Sequence, residues 1–386
     1  MAGATGTRRG FAVTLCRDDG QFADLEKEWT ALLRDCATAT PFQSHSWLHS
    51  WWLSYGSPGR LRLVLVRYDG QLVGAAPLML VHRPLPLLVP LGGGISDFSD
   101  ILVASSHRVT TLNALSAGLR LAARHAVIDL REVRPGAAAE ELFDIWPGVR
   151  RRLDDSVCLE LPAEPIDELM KRLASSRAQR VRAKLRKLDA LKIEEHAVAE
   201  HEVPSAIGEL LRLHELQWRG RGVTPEHLRP RFAEHLTRAT QRMVRDGDAA
   251  LTEYRLNGAV VASNVTLQSS QLTGGYLYGA DPELRSRKVD VATMLLRRDA
   301  RHAAESGRSV ISLLRGTEPY KSHWRPATVV NQRLLLAPLA LAPLLNLHAA
   351  QLATRDRGAA ALRALLPAVQ QWRAKLNDWQ AGGGPR

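Results

Sequence analysis

Two segments of the chain share one pattern of apolar runs around a tight turn. Residues 63–80, LVLVRYDGQLVGAAPLML, place Asp69-Gly70 between two apolar runs, and residues 250–267, ALTEYRLNGAVVASNVTL, place Asn257-Gly258 in the same position. Asp-Gly and Asn-Gly reach positive φ at low cost and are the strongest short-range signal for a β-hairpin. A shift of 188 residues superposes the two turns. We therefore predict two equivalent hairpins and an internal duplication.

The elements around each hairpin also follow one order. In the first half, a glycine-rich segment with a strand (91–104) precedes a helix at about 110–125 and an apolar strand at 126–133. In the second half, GGYLYGAD (274–281) precedes a helix at about 291–306 and a strand at 310–316. Strand, helix and strand in succession predict a β-α-β crossover. The expected fold class is α/β, with two tandem lobes that each form a mixed β-sheet flanked by helices.

The chain has 386 residues, enough for two or three domains. The best linker is the segment 162–165, which begins and ends with proline. We expect a leader at 1–19, an N-terminal lobe at 20–161, a C-terminal lobe at 166–330 and a helical extension at 331–386. Within the extension, a leucine-rich helix at 359–379 suits packing or oligomer formation, and a polar tail should be disordered.

Composition is that of an ordinary globular protein, with 45% hydrophobic and 24% charged residues and a net charge of +12. The densest basic cluster, residues 171–192, has nine basic side chains and one acid, and its apolar residues recur at helical spacing. Such a helix is either a solvated surface or a docking site for a nucleotide, tRNA or other phosphate-bearing partner.

Cysteine spacing and hydropathy restrict the class of protein further. Cys16, Cys36 and Cys158 lie far apart with no CxxC spacing, which argues against a disulfide framework and a zinc knuckle and favours a reducing compartment. The longest apolar stretch, 334–347, is interrupted by Pro338 and Pro343 and is too short to span a bilayer. We expect a cytoplasmic protein.

The region 251–324 carries a family resemblance, most specifically in RGTEPYKSHW (315–324) with its glycine, acid, Tyr-Lys pair and tryptophan. This run resembles the C-terminal half of GNAT-superfamily acyltransferases. The order of elements over most of residues 20–330 resembles a two-lobed bacterial branch described as cellulose-biosynthesis-CelD-like, whose relatives include Fem-type aminoacyltransferases of cell-wall peptides. Leu213-His214 with Trp218 resembles a second signature of that branch.

The resemblance implies acyl transfer from acetyl-CoA or another acyl-CoA to an amine of a small molecule or the cell envelope. Direct transfer needs a proton acceptor for the amine, a backbone N–H for the developing oxyanion and an acid for the departing thiolate. The C-terminal lobe should be the catalytic one. In the N-terminal lobe Arg134-Pro135-Gly136 stands where the Tyr-Lys pair would be, so we expect that lobe to be non-catalytic.

Four residues are the catalytic candidates. Tyr320 is the expected acid or donor anchor, with a structural tyrosine as the alternative. Asp281, Glu318 and His214 are candidates for the general base, although each also fits a helix cap, a salt-bridge partner or a structural histidine.

The donor site should be formed by a strand and a basic turn. Tyr276 and Tyr278 lie on the strand that would hold the acyl-pantetheine arm, and Lys321 can pair with a phosphate or carboxylate. GNAT enzymes place a glycine-rich turn ahead of the next helix to bind pyrophosphate. Here the turn holds Arg285, Arg287 and Lys288 without either glycine, and Asp290 should cap the helix. This departure leaves an aminoacyl-tRNA donor open, as well as a non-catalytic GNAT-fold protein in polysaccharide biosynthesis.

Three further residues are candidates for acceptor binding. Asp97 and Asp100, in GGISDFSD, can face a cleft between the lobes and hold a cationic amine, or they can cap turns. Trp218 belongs to the second signature and is expected near the substrate. No His or Cys joins the two aspartates at ligand spacing, so no metal is expected.

Overall fold

The first lobe combines a β-sheet with five α-helices among the described residues. The computed structural model describes residues 10–219, 224–318, 320–355 and 357–358 of the chain. The first-lobe strands are β1 (Phe11–Cys16), β2 (Leu61–Tyr68), β3 (Gln71–His82), β4 (Pro86–Pro90), β5 (Leu102–Val103), β6 (Val127–Val133) and β7 (Val149–Pro162). The helices are α1 (Asp19–Asp24), α2 (Glu26–Asp35), α3 (His45–Tyr55), α4 (Arg108–Ala122) and α5 (Ala138–Ile145).

The second lobe repeats this arrangement. Its helices are α6 (Ile166–Lys171), α7 (Ser175–Leu191), α8 (Val203–Trp218), α9 (Pro230–Asp246), α10 (Pro282–Ser286) and α11 (Val291–Glu305). Its strands are β8 (Glu194–Ala197), β9 (Ala249–Leu256), β10 (Ala259–Gln268), β11 (Leu272–Ala280) and β12 (Val310–Arg315). A further strand, β13 (Ala327–Ala337), follows them in the chain. Residues 342–355 are helical and pack against the first lobe.

All the strands belong to one mixed sheet, so the α/β class and the two-lobed arrangement are confirmed. The strand order is β1-β2-β3-β4-β6-β13-β7-β12-β11-β10-β9-β8, with β5 paired to β3 at one side. From one edge the order is β1-β2-β3-β4-β6, and from the other edge it is β8-β9-β10-β11-β12. Equivalent strands of the two lobes therefore occupy equivalent positions up to the central pair, β13 and β7. The duplication is therefore visible as a pseudo-symmetric sheet.

At the centre the lobes exchange their last strands. Strand β13 follows the second lobe in sequence but pairs with β6 of the first lobe, while β7 follows β6 but pairs with β12 of the second. The two exchanged strands pair with each other, from Ala327 opposite Glu160 to Ala337 opposite Val149. The lobes consequently share a continuous backbone ladder.

The two hairpins occupy equivalent positions, as the duplication predicts. Asp69 and Asn257 have φ values of 48° and 53°, and each is followed by a glycine with positive φ. The hairpins also share a bulge: Val73 and Val261, which the 188-residue shift superposes, are each left out of the pairing register. A bulge at the same position in both copies supports a common origin for the two lobes.

Two expected boundaries and one expected strand differ from the elements of the structure. The leader at 1–19 contains β1 and the start of α1, so residues 11–19 belong to the sheet and its flanking helix. The boundary at 330 falls inside β13, because the extension starts as a strand of the first lobe's sheet. The strand expected within 91–104 is mostly turn, and β4 takes the equivalent position instead. The leucine-rich helix at 359–379 lies outside the described residues.

Most aromatic side chains of the first lobe are core residues. Trp47, Trp51 and Trp52 of α3 are all at least 95% buried, and α3 packs on α9 of the other lobe. The three cysteines are buried and free. On the far side of the second lobe, α7 buries Val181 and Leu185 and leaves its basic side chains exposed. Within the described residues, no helix is long and apolar enough to cross a membrane.

A group of buried histidines lies where α3 meets α9. The rings of His45 and His49 stack with centroids 5.1 Å apart, and His235 packs edge-on against Trp47 at 4.6 Å. Burial lowers the pKa of His49 to about 4 and that of His235 to about 3, and it also lowers the pKa of His45. The lobes are therefore packed together by neutral imidazoles at neutral pH.

We predict that acid destabilises the protein through these side chains. An unfolded histidine has a pKa of about 6.5, so the unfolded chain binds more protons than the folded chain below that pH. Stability that is present above pH 6.5 is therefore lost as the pH falls toward about 4. His49→Gln removes one such group. Between about pH 6.5 and pH 5, the free energy of unfolding of this variant should therefore decrease by about 1.5 kcal/mol less than that of the wild type. Urea denaturation at both pH values measures the difference. His201→Gln, at an exposed histidine, is the control and should retain the wild-type slope; an H49Q slope equal to that of the wild type would contradict the assignment.

Candidate active site

Two parallel strands of the second lobe diverge to open a cleft. β11 and β12 pair only at Leu272–Val310, Thr273–Ile311 and Gly274–Ser312. Beyond Gly274 the two strands separate, so their facing backbone groups are not used by the sheet. Free backbone N–H groups along a strand are suited to bind an extended ligand and to stabilise an oxyanion.

A bulge lies at the point where the strands separate. On the other side of β11, Val265 pairs with Leu277 and Thr266 pairs with Gly275, so Tyr276 is left out of the register. Its side chain leaves the cleft and packs on Phe42 and Trp47, and its hydroxyl donates to the carbonyl of Ile95 at 2.9 Å. The Tyr276 phenol therefore joins the lobes, and only its backbone can face a ligand.

A pocket follows the divergence and reaches the turn after β12. It is lined by Gly275 and Tyr278 of β11, by Leu295, Leu296 and Asp299 of α11, and by Tyr320, Lys321 and Trp324 beyond β12. The Tyr320 side chain is 42% exposed, and partial burial with the nearby Tyr278 raises its pKa. Its phenol consequently stays protonated at neutral pH and can act as a proton donor.

Lys321 has a different role from the expected donor anchor. Its side chain is 7% exposed, and Nζ donates to the Arg315 carbonyl at 2.7 Å and forms an ion pair with Glu318 at 2.8 Å. These contacts close the turn from Arg315 to Trp324. Lys321 thus positions Tyr320, and Glu318 is committed to Lys321 instead of standing free as a base.

His214 is part of a pair of hydrogen-bonded imidazoles. Its Nδ1 lies 2.7 Å from the carbonyl oxygen of Tyr278, which requires a proton on Nδ1, so Nε2 accepts from His227 Nδ1 at 3.1 Å. Burial lowers the pKa of both rings, that of His227 to about 4. Sequence reasoning found His214 and missed His227, because the short helical turn that carries it has no motif.

The basic turn before α11 is ordered by its own ion pairs. Asp290 caps α11 by accepting from the Thr293 N–H at 3.1 Å, as expected, and it also contacts Lys184 of α7. Arg287 pairs with Glu283 at 2.5 Å, whereas Arg285 and Lys288 are exposed. Asp281 caps the N-terminus of α10, the short helix ahead of this turn, by accepting from the Glu283 N–H at 2.8 Å. Its side chain is therefore used as a cap.

A second cleft opens between the lobes on the first-lobe side. Trp51 and Tyr55 of α3 stack at 5.5 Å along one wall, and Arg231 lies 4.9 Å from the Tyr55 ring while it pairs with Glu226 through two 2.7 Å hydrogen bonds. Other walls include Gly93, Gly94, Arg83, Arg131, Glu132 and Arg315. The cleft combines an aromatic wall with charges of both signs, which suits an amphipathic ligand.

Asp97 lies beside this cleft but is already paired. Arg315 at the end of β12 donates to Asp97 at 2.5 Å and to Glu132 of β6 at 2.8 Å. Although burial opposes its charge, the two carboxylates raise the pKa of Arg315. Asn331 of β13 is fully buried beside them and donates to Glu132 at 3.1 Å. Asp97 therefore joins the lobes and is not a free carboxylate for a substrate amine.

Asp100 differs from the expectation, whereas the role of Trp218 stays a prediction. Asp100 is buried and accepts from the backbone N–H groups of Ala138 and Ala139 at 3.1 and 2.8 Å, so it caps α5. Burial raises the pKa of Asp100 to about 6. Trp218 is half-buried at the end of α8, where its indole N–H has no hydrogen-bond partner among the described residues.

Within the same residues, no three His, Cys, Asp or Glu side chains are grouped to hold a metal ion.

Comparison with known proteins identifies the class. Residues 175–322 match the family model described as acetyltransferase (GNAT) domain. The matched region contains the diverging strands, the basic turn and Tyr320. The match therefore places a GNAT-type acetyltransferase domain at residues 175–322 of the second lobe. None of the curated proteins compared with the chain matches it.

Solved structures share the whole two-lobed fold. The crystal structure of FemX superposes with a TM-score of 0.61 at 13% identity, over 83% of this chain and 98% of that one. A conserved protein of unknown function from Bacteroides thetaiotaomicron gives 0.58 at 12% identity, over 84% and 100%. The C-terminal domain of a protein named as a lysylphosphatidylglycerol synthetase from Agrobacterium fabrum gives 0.53 at 11% identity, over 85% and 96%. At these identities the similarity is one of fold.

The contacts of Asp100 predict that its replacement affects folding and not substrate binding. Asp100→Ala leaves two helix N–H groups and the Thr38 hydroxyl without their acceptor, so the free energy of unfolding should fall by roughly 1–3 kcal/mol. The KM of the folded fraction for its substrate should stay within about twofold of the wild-type value, which is roughly 0.4 kcal/mol. Thermal melts and steady-state kinetics on the same preparation test both statements. A stable variant with a strongly raised KM would instead place Asp100 at the acceptor.

Proposed function

We propose that this protein is an N-acyltransferase that binds an acyl-CoA between β11 and β12 and transfers the acyl group to an amine held in the cleft between the lobes. The observation that carries this proposal is the divergence of β11 and β12 at a bulge, beside a pocket that Tyr320 lines. That arrangement offers backbone N–H groups for the thioester oxygen and a phenol for the thiolate in one pocket. In the proposal, the backbone around Tyr276 and Tyr278 binds the pantetheine arm.

The reaction proceeds by direct attack. The amine nitrogen forms a bond to the thioester carbon, the C–S bond breaks as the tetrahedral intermediate collapses, and the phenol of Tyr320 donates its proton to the leaving thiolate. Lys321 and Glu318 support this step by fixing the turn that carries Tyr320. No cysteine takes part, which agrees with three buried free cysteines.

The amine must lose a proton, and the paired imidazoles are our choice for its acceptor. Asp281 and Glu318 are engaged as a helix cap and in an ion pair. The neutral His214 and His227 are linked in one direction, because the hydrogen bond to the Tyr278 carbonyl fixes the His214 tautomer. The remaining nitrogen of His227 is then an acceptor, and Glu226, the residue next to it, lines the cleft between the lobes.

The acceptor is proposed to be an amine with a cyclic or apolar body, as in a cell-envelope precursor. The stacked Trp51 and Tyr55 offer a flat wall for such a group, and Arg83 and Arg131 can bind an anionic substituent. In the equivalent position of the first lobe, β4 and β6 diverge after only two paired positions without a Tyr-Lys turn. That lobe then serves to form the acceptor cleft and does not carry out transfer.

A second candidate donor is an aminoacyl-tRNA. It is favoured by the exposed face of α7, where Arg180, Arg182, Arg186 and Lys187 point away from the core, and by the absence of glycines in the basic turn. The fold is shared with FemX and with a domain named as a lysylphosphatidylglycerol synthetase. Binding through α7 would be strongly salt-dependent, because neutralising phosphates releases counterions.

Replacing Tyr320 tests the chemistry. Tyr320→Phe removes the proton donor and retains the ring, so kcat should fall by roughly 10²–10⁴ while the dissociation constant of the donor changes little. Rapid-quench assays and calorimetry with acetyl-CoA measure the two quantities. Tyr254→Phe, at a buried phenol on β9 of the same lobe, is the matched control and should keep full turnover. A Y320F protein with wild-type kcat would exclude the phenol from the reaction.

The identity of the donor is tested by two pairs of charge reversals. Under the acyl-CoA reading, Arg285→Glu with Lys288→Glu should weaken CoA binding at least about tenfold, or ~1.4 kcal/mol, and Arg182→Glu with Arg186→Glu should leave it unchanged. Under the tRNA reading, the α7 pair should abolish binding of charged tRNA in a gel-shift assay. Binding of neither donor, with no transfer from either, would leave the non-catalytic scaffold as the remaining explanation.

A further inference from the structure

A basic cleft lies on the first lobe, away from both clefts of the proposed reaction. It encloses about 670 Å³ where the ends of β1, β2, β3 and β4 meet the end of α4. Its charged and titratable lining comprises Arg17, Arg62, His82, Arg124 and His125, and no aspartate or glutamate stands among the described residues that line it. The mechanism proposed above uses none of these side chains.

Strand register explains why the cations converge. β1 and β2 are antiparallel with Cys16 opposite Leu63, which brings Arg17 opposite Arg62. Residues directly opposite each other project from the same face of a sheet, and Leu80 joins them there from β3. Arg124, just after α4, covers the same face. Like charges placed directly opposite each other are destabilising unless a counter-charge lies between them.

The side chains of this cleft show the effect of that repulsion. The pKa of Arg62 is lowered by burial and by the positive charges of Arg17 and Arg60. Arg60 points toward the same strand ends and contacts the His82 ring at 2.9 Å. Guanidinium groups that converge in this way can bind an anion, because each offers several N–H donors in a fixed plane. Arg62 uses one of its nitrogens to donate to the Gly59 and Leu61 carbonyls and keeps its other donors.

The second lobe shows that the fold does not require this charge. At the corresponding place between β8, β9 and α11, a cleft contains Arg298 and Arg301, and both arginines pair with Glu195. These arginines are not the equivalents of those in the first lobe, since the 188-residue shift places Arg62 on Ala250. The second-lobe cleft is neutralised by Glu195, whereas the first-lobe cleft has no acidic residue among its described lining residues. This difference between the two clefts is expected if only the first-lobe cleft binds an anionic ligand.

We infer that the first-lobe cleft binds a phosphate group through Arg17, Arg62 and Arg124, with Leu15, Leu80 and Leu121 contacting an apolar part of the same ligand. Leu121 is 66% exposed at the rim, which suits such a contact. The phosphate belongs either to a soluble phosphorylated molecule or to a lipid headgroup. This inference does not depend on the proposed transferase reaction.

Calorimetry with inorganic pyrophosphate tests the phosphate site on the full chain. Arg17→Gln with Arg124→Gln should raise the dissociation constant at least tenfold, because both side chains are exposed and their loss spares the core. Arg120→Gln with Lys27→Gln removes the same charge from exposed positions outside the cleft and should change binding less than twofold. Equal losses in the two double variants would overturn the inference, since binding would then follow net charge.

Two further experiments test where pyrophosphate binds and whether the natural ligand is a lipid headgroup or a soluble molecule. Arg285→Gln with Lys288→Gln should leave the first-lobe binding intact; if this pair alone abolishes pyrophosphate binding, the site is the basic turn and the inference fails. Co-sedimentation with phosphatidylcholine vesicles, with and without phosphatidylglycerol, tests the lipid source. Vesicle binding that depends on phosphatidylglycerol and on Arg17 and Arg124 indicates a headgroup, and pyrophosphate binding without it indicates a soluble ligand. A wild-type chain that binds neither probe would refute the proposal.

Discussion

The pairing of β7 with β13 at the middle of the sheet is the constraint on which the rest of the structure depends. Because each of these strands borders the other lobe, neither lobe has a complete sheet of its own. The pairing is interrupted where Asn331 leaves the register, and there the buried network of Asn331, Glu132, Arg315 and Asp97 is placed. Removing one member of such a network leaves a buried charge without its partner, which typically costs about 3–5 kcal/mol.

This central network is also connected to the proposed chemistry. Arg315 ends β12, and its carbonyl accepts the hydrogen bond from Lys321 that closes the turn carrying Tyr320. The position of the phenol is therefore set by the same residue that links the lobes. A substitution at the lobe interface should therefore alter the position of Tyr320 through the backbone between Arg315 and Lys321, although the interface does not contact the donor pocket.

The sequence predicts the local elements well and the long-range exchange poorly. Asp69-Gly70 and Asn257-Gly258 determine their turns through backbone preferences that act within four residues, so both hairpins follow from the chain alone. The helix cap at Asp290 is local in the same sense. Strand β13 is different, because nothing between Ala327 and Ala337 encodes that its partners lie in the first lobe.

Candidate site residues follow the same division. The Tyr-Lys turn and His214 were found because they occur at recognisable spacing, and the structure brings Tyr278, Tyr320 and Lys321 around one pocket. The polar contacts that reassign Asp97, Asp100 and Lys321 come from residues between 3 and 218 positions away in the chain. A carboxylate in a glycine-rich loop looks the same in sequence whether it holds a substrate, a helix end or an arginine.

The strand exchange has a consequence for how the protein is made. The first lobe leaves the ribosome long before β13 is synthesised. Until then, β6 has one unpaired edge and β7 has neither of its neighbouring strands in place. Unpaired strand edges are templates for association between chains, and contacts so distant in sequence form slowly. The nascent chain therefore depends on delayed closure of its sheet, and a chain terminated before residue 327 retains that open edge permanently.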